Sequence, residues 1–274
     1  MQPPLIAEAC VVSWRVEGDV HRLTRPQLDA RIRRLAGALT AAGLGPGQRV
    51  ATLAWNGHRH LELCCAVPAV GAALLPLDPR QHPAEIAHAL DRADARALFF
   101  DLSFLPLVEA VAPRVRTACR FVLMSDRSRR PVEARVPGLQ CYEDWLDSAC
   151  DGVLHGVRHG PGDPDPDPDA ADVLLLVQPM GSATWGSAAR LVLPGPFLDG
   201  RSLHGLIAHE GVTAAIGPAS AWQALLAHVE SHGLRLGSLQ RLVTGPEPCP
   251  PALEQVFRTR YGVRVQPPGD ARPL

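Results

Sequence analysis

Leu28, Ile32, Leu35 and Leu39 recur every three or four positions, and Ala42 closes the series. That spacing lines one face of a helix and predicts a helix over residues 23–44. Thr24 is its expected N-cap and Pro26 sits early, where a helix tolerates it. Gly43 and the LGPGQ that follows stop it. The pattern then changes. RVATLA (49–54) is a short apolar run with a β-branched member and predicts a buried strand, whereas residues 60–74 are apolar nearly all round and predict a buried helix. Further helices are expected at 83–93, 104–111 and 142–149, and strands at ALFFD (97–101) and RFVLMS (120–125). Residues 125–135 are polar and basic, a surface loop.

Residues 152–170 break this rhythm. They are rich in Gly, Pro and Asp and contain DPDPDPD. Alternating Pro fixes φ and disfavours helix before each ring, so a solvated, extended linker is expected. Strands are then predicted at 172–177, 189–193, 213–216, 239–244 and 263–265, with helices at 202–210, 220–232 and 250–261. Strands alternating with helices at these lengths argue for a mostly parallel α/β architecture. The expected division is a first α/β subdomain at 1–151, a linker at 152–171 and a second α/β subdomain at 172–274.

Composition narrows the function. The 274 residues are 46% hydrophobic and 20% charged, as in a globular protein. A formal net charge of -1 gives no reason to expect nucleic acid as a partner. No apolar run reaches the ~20 residues of a membrane span. Every one of the 27 basic residues is Arg, so no step in this sequence can use a lysine ammonium. The cysteines are seven in number with no CxxC, which favours reduced thiols and a cytoplasmic location.

Three stretches carry a resemblance: LTRPQLDARIRRLAGALTAAGLGPGQRVATLAWNGHRHLELCCAVPAVGAALLPLDPR (23–80), ARALFFDLSFLPLVEAVAPRV (95–115), and the segment from ARLVLPGPFLDG to RYGVRV (189–265). They resemble the N-terminal domain of the acyl-adenylate-forming superfamily, and within it the fatty acyl-CoA synthetases. The resemblance implies a partial synthetase-like domain of mixed, mostly parallel sheets flanked by helices, without the C-terminal domain. It also implies ligase chemistry using ATP, Mg²⁺ and coenzyme A.

The family's chemical motifs are poorly matched. The Ser/Thr/Gly-rich phosphate loop ending in Lys is replaced by DPDPDPDAADVLLL. A Pro–Asp repeat lacks half the backbone N–H donors that a phosphate needs, and adds like charge. In the PM-F-H motif and the Trp-Gly after it, only QPM, Trp185 and Gly186 match. About ten residues that should follow look deleted, judged by usual connection lengths. Thr244, Gly245, Pro246 and Glu247 partly match a Gly-Gly-Ser-Ala loop, and QPPGDAR stands where a Mg²⁺-binding Glu is expected.

The candidate acyl or adenine contacts implied by the resemblance are therefore Trp185, Gly186, Gly217, Trp222, Thr244, Gly245, Pro246 and Glu247. The competing reading makes both tryptophans core aromatics. His58, His60 and Glu62 do not predict a metal site, because i and i+2 diverge on a helix. HVESH (228–232) is not HExxH and predicts none either. No catalytic residue, no metal ligand and no tightly bound cofactor are expected. The expected function is a degenerate synthetase homologue that cannot form acyl-adenylate alone. The alternative is a non-catalytic module pairing with itself or with a full-length synthetase.

Overall fold

The computed structural model describes residues 10–129, 131, 133–149, 173–177, 190–245 and 249–266. Helix α1 (Arg25–Ala41) buries the predicted stripe of Leu28, Ile32, Leu35 and Leu39. Thr24 caps it in a reciprocal capping box with Gln27, which satisfies two end groups at once. Helix α2 (His58–Ala69) follows strand β3 (Arg49–Leu53). The predicted helix over 60–74 is corrected here: it ends at Ala69, and Ala73–Pro76 is strand β4. Gly71, at φ +77°, makes the turn between them. Helix α3 (Pro83–Arg92), strand β5 (Ala95–Asp101), helix α4 (Leu105–Val111), strand β6 (Arg120–Met124), strand β7 (Gln140–Cys141) and helix α5 (Tyr142–Ser148) complete this half. Before α1 lies a hairpin the sequence pattern did not predict, β1 (Val11–Trp14) and β2 (Val20–Leu23).

The second half runs β8 (Val173–Leu176), β9 (Arg190–Leu193), α6 (Gly200–Glu210), β10 (Ala214–Gly217), α7 (Ala219–Ser231), β11 (Arg241–Thr244), α8 (Pro251–Tyr261) and β12 (Arg264–Gln266). The strands form two sheets. One has the order β4-β3-β5-β6-β7 and is wholly parallel. The other has the order β12-β11-β10-β8-β9-β1-β2 and is parallel except for the β1–β2 hairpin. The N-terminal hairpin is thus stitched to the second half through β1 and β9.

Side chains alternate across each sheet, as strand geometry requires. Leu174 and Leu176 face a central core shared with α1 and α2, while Leu175 and Val177 face a second core with α6, α7 and α8. In the other sheet Phe99 joins the central core, and Leu98 and Phe100 pack towards α3 and α4. The result is five layers, α/β/α/β/α. Among the described residues no helix is long and apolar enough to cross a membrane.

Candidate functional site

Ligands of open α/β sheets bind beyond the carboxyl ends of the strands. In the seven-stranded sheet that edge holds three of the residues singled out from the sequence, with a fourth, Trp222, packed beneath it. Gly217 ends β10, Thr244 ends β11, and the two are register partners. The Gly245 amide donates to the Gly217 carbonyl at 2.9 Å, and the Val177 amide donates to the Ile216 carbonyl at 2.8 Å. The carboxyl ends of β8, β10 and β11 therefore lie side by side.

Gly217 is required by packing. A Cβ there would lie 2.7 Å from Val177 Cβ and 3.0 Å from Trp222 Cζ2. Trp222, in the first turn of α7, is fully buried in the core under that sheet, and its indole Nε1 has no hydrogen-bond partner. Thr244 is buried, and its hydroxyl donates to the Gln266 carbonyl at 3.4 Å. Trp185, Gly186, Pro246 and Glu247 lie outside the described residues, as do 152–171.

A second constellation was not legible in the sequence. Arg31 of α1 makes two forked contacts, to Glu62 (2.6 and 3.2 Å) and to Glu143 (3.0 and 3.1 Å). Arg59 of α2 reaches Glu143 (3.1 Å), Glu17 (2.9 Å) and the Met124 carbonyl (3.2 Å). Tyr142 donates to Glu62 at 2.6 Å. Burial pulls the Arg31 guanidinium down, but Glu62 and Glu143 outweigh it and hold it above its ordinary value. Burial pushes Glu62 up, against the pull of Arg31 and Tyr142. Three hydrogen bonds to one carboxylate make the ionised pair the form this geometry holds. The network fastens α1, α2, α5 and the loop after β1 together, so its role is structural.

Near it, at the carboxyl ends of β3 and β5, Asp101 accepts the Trp55 amide at 2.6 Å. Burial pushes its carboxyl up to about 7, although the Trp55 amide and Arg59 pull the other way. Asp101 lines a cavity of about 20 Å³ with Ser13, Glu17, Trp55 and His58, room for about one water. A larger hollow, about 510 Å³, lies between the end of α1, β7 and α5, and contains none of the residues singled out from the sequence.

The layered fold is that of an open α/β domain whose glycine-bearing carboxyl edge lies where such sheets bind ligands. The family model described as AMP-binding enzyme matches residues 6–177. The chain belongs to that AMP-binding enzyme family. It is 39% identical to the 3-methylmercaptopropionyl-CoA ligase of Ruegeria pomeroyi, over 93% of this chain and 55% of that protein. It is 37% identical to the long-chain-fatty-acid–CoA ligase of Thermus thermophilus, over 93% of this chain and 53% of that one. The chain spans about half the length of the curated relatives it matches. The first alignment runs over 297 positions, more than the 274 residues of this chain, so part of the aligned stretch of that relative has no counterpart here. An acyl-CoA synthetase of Brucella canis has the same fold, with a TM-score of 0.73 at 16% identity, over 94% of this chain and 53% of that one.

Proposed function

We propose that these residues form a degenerate fatty acyl-CoA synthetase-type domain that cannot make an acyl-adenylate by itself. One observation carries the reading. Strands β8 and β9 are parallel neighbours, paired Val173 to Arg190, Leu174 to Leu191 and Leu175 to Val192. Only residues 177–189 join them. A parallel crossover needs about a dozen residues merely to return to the start of the next strand. No length is left for a separate phosphate-cradling loop as well. Val173–Leu176, which close the stretch that replaces that loop, are themselves a strand buried at three of its four positions.

The lysine-free sequence supports the same reading, since a guanidinium does not replace a compact ammonium at a reacting oxygen. The residues therefore do not fit ATP with Mg²⁺. Its relatives are named CoA ligases for 3-methylmercaptopropionate and for medium- and long-chain fatty acids, and such carboxylates are the ancestral substrate class we infer. The six described cysteines are free, in keeping with the reducing cytoplasm as its location. We propose a division in chain order into 1–151 and 172–274 with 152–171 between them, β1 crossing over to pair with β9.

The test is pyrophosphate release from the purified chain with MgATP, coenzyme A and a panel of C6–C16 acids plus 3-methylmercaptopropionate. The reading expects no release above an acid-free blank. Steady acid-dependent release would overturn it.

One observation favours the second reading, pairing with itself or with a full-length synthetase. β2 is an edge strand, and Val20 on it is the exposed large hydrophobic among the described residues, at 40%. Light scattering on a sizing column separates the readings: a stable monomer at all concentrations counts against self-pairing.

A further inference from the structure

We propose that the hollow between the end of α1, β7 and α5 is a binding site for a small organic monocarboxylate, whose head group Arg120 holds. The hollow measures about 510 Å³, within the range of roughly 300–1,000 Å³ usual for small-molecule sites. Its lining residues lie in or next to α1, β6, β7 and α5, and none comes from the seven-stranded sheet. Its occupancy therefore does not depend on whether the carboxyl edge of that sheet takes nucleotide. Small side chains open the space. Ala38, Ala41 and Ala42, from the last turn of α1 and its cap, line it together with Trp145 of α5.

Arg120 opens β6 on the same side as Val122 and Met124, which face the central core, and so reaches the end of α1. Its guanidinium makes one hydrogen bond among the described residues, from Nη1 to the Ala42 carbonyl at 2.7 Å. That bond covers the negative end of α1 and fixes the guanidinium at the hollow. It leaves the Nε–Nη2 edge, the pair of parallel N–H donors that grips a carboxylate. Gln140 adds donors. Its Oε1 accepts from Trp145 Nε1 at 2.9 Å, which leaves its amide N–H groups for a ligand.

Charge selects the ligand. Asp144, the carboxylate that lines the hollow, is engaged by Arg127. Arg120 has no carboxylate partner among the described residues, so the hollow carries one unmatched positive charge. A monocarboxylate balances it. A phosphate dianion would exceed it and be repelled by Asp144. A bare ion would leave most of the 510 Å³ to water, whereas the three alanines offer an apolar organic body a surface to cover.

The test is a ligand-observed NMR titration of the full chain with benzoate, with acetate and with phenyl phosphate. The expected result is one saturable benzoate site with a dissociation constant near or below about 1 mM, and weaker binding of the other two. Arg120→Gln should weaken benzoate about tenfold or more, the usual effect of losing a charged hydrogen bond. Ala41→Trp, at an exposed position on the hollow, fills the space and should abolish binding without touching the core. Arg33→Gln, exposed on α1 outside the hollow, should bind as wild type does. A wild-type chain with no saturable benzoate site would overturn the proposal. So would Arg120→Gln or Ala41→Trp binding as tightly as wild type, or acetate or phenyl phosphate matching benzoate.

Discussion

A methyl group added at Gly217 has nowhere to go. It meets Val177 Cβ at 2.7 Å, inside a packed core. Gly217→Ala is expected to cost ~1–3 kcal/mol, the usual penalty of overpacking. Gly205 in α6 is the contrast, because a Cβ there meets nothing within 4 Å. Gly205→Ala should stabilise by ~0.5–1 kcal/mol through helix propensity. Urea unfolding of the two variants checks both signs. Buried titratable groups set the pH response. Burial pushes His60 down to about 4, and burial with Arg31, Arg15 and Arg59 does the same to His21. Unfolded histidines take protons near 6.5. Their stabilisation is thus complete above that pH and is lost as pH falls towards 4, at about 1.4 kcal/mol per unit for each group. His60→Leu should flatten that acid slope by one proton's share. Asp101 has the opposite sign. Its carboxyl sits at about 7 in the folded chain, so its contribution is full at low pH and is lost as pH rises through about 7. Asp101→Asn keeps an acceptor for the Trp55 amide and should gain stability over wild type as pH rises, most above 7. Urea midpoints from pH 4.5 to 8.5 read both effects. An unchanged difference across that range would contradict the Asp101 account. The pattern made 60–74 a buried helix and so placed His60 inside, but gave no sign that His21 or Asp101 titrates far from its ordinary value.

At the scale of elements, the Arg59 network holds the helices of the central layer. Arg59 is 5% exposed and Glu17 is 3% exposed. Removing one partner of such a pair strands a buried charge. Arg59→Met should therefore destabilise by ~3–5 kcal/mol, and Glu17→Gln in the same chain should recover part of it. A double-mutant cycle by thermal unfolding measures that coupling. An additive pair would show that the two residues do not act together. Sequence pattern found α1 well, because its apolar stripe and Thr24 cap are local features. It merged α2 with β4, because a continuous apolar run reads alike as buried helix or strand. Only the turn at Gly71 separates them. It missed β1, β2 and β7: β7 is only two residues long, and β2 carries His21 and Arg22 at its centre, so neither β2 nor β7 shows an apolar run, and without β2 the hairpin partner of β1 is not seen. The partners in the ionic network lie up to 112 residues apart, a separation that no local pattern encodes.

At the scale of the molecule, the alternation of strands and helices gave the parallel α/β class, and the resemblance gave the layered domain. The pairing of β1 with β9 was not foreseeable from pattern, since it sets Val11 beside Leu191, across the whole first half of the chain. Gly217, Thr244 and Gly245 were legible as strand ends, and the register of β10 on β11 brings them together. The central claim concerns what is missing beside them. On the reading proposed above, residues 177–189, which join β8 to β9, are taken up by the crossover and leave no chain to cradle a triphosphate. Calorimetric titration of the purified chain with MgATP, with and without a C8 fatty acid, tests this most directly. The account predicts no saturable binding up to millimolar nucleotide in either case. A single saturable site in the micromolar range, tightened by the fatty acid, would contradict it.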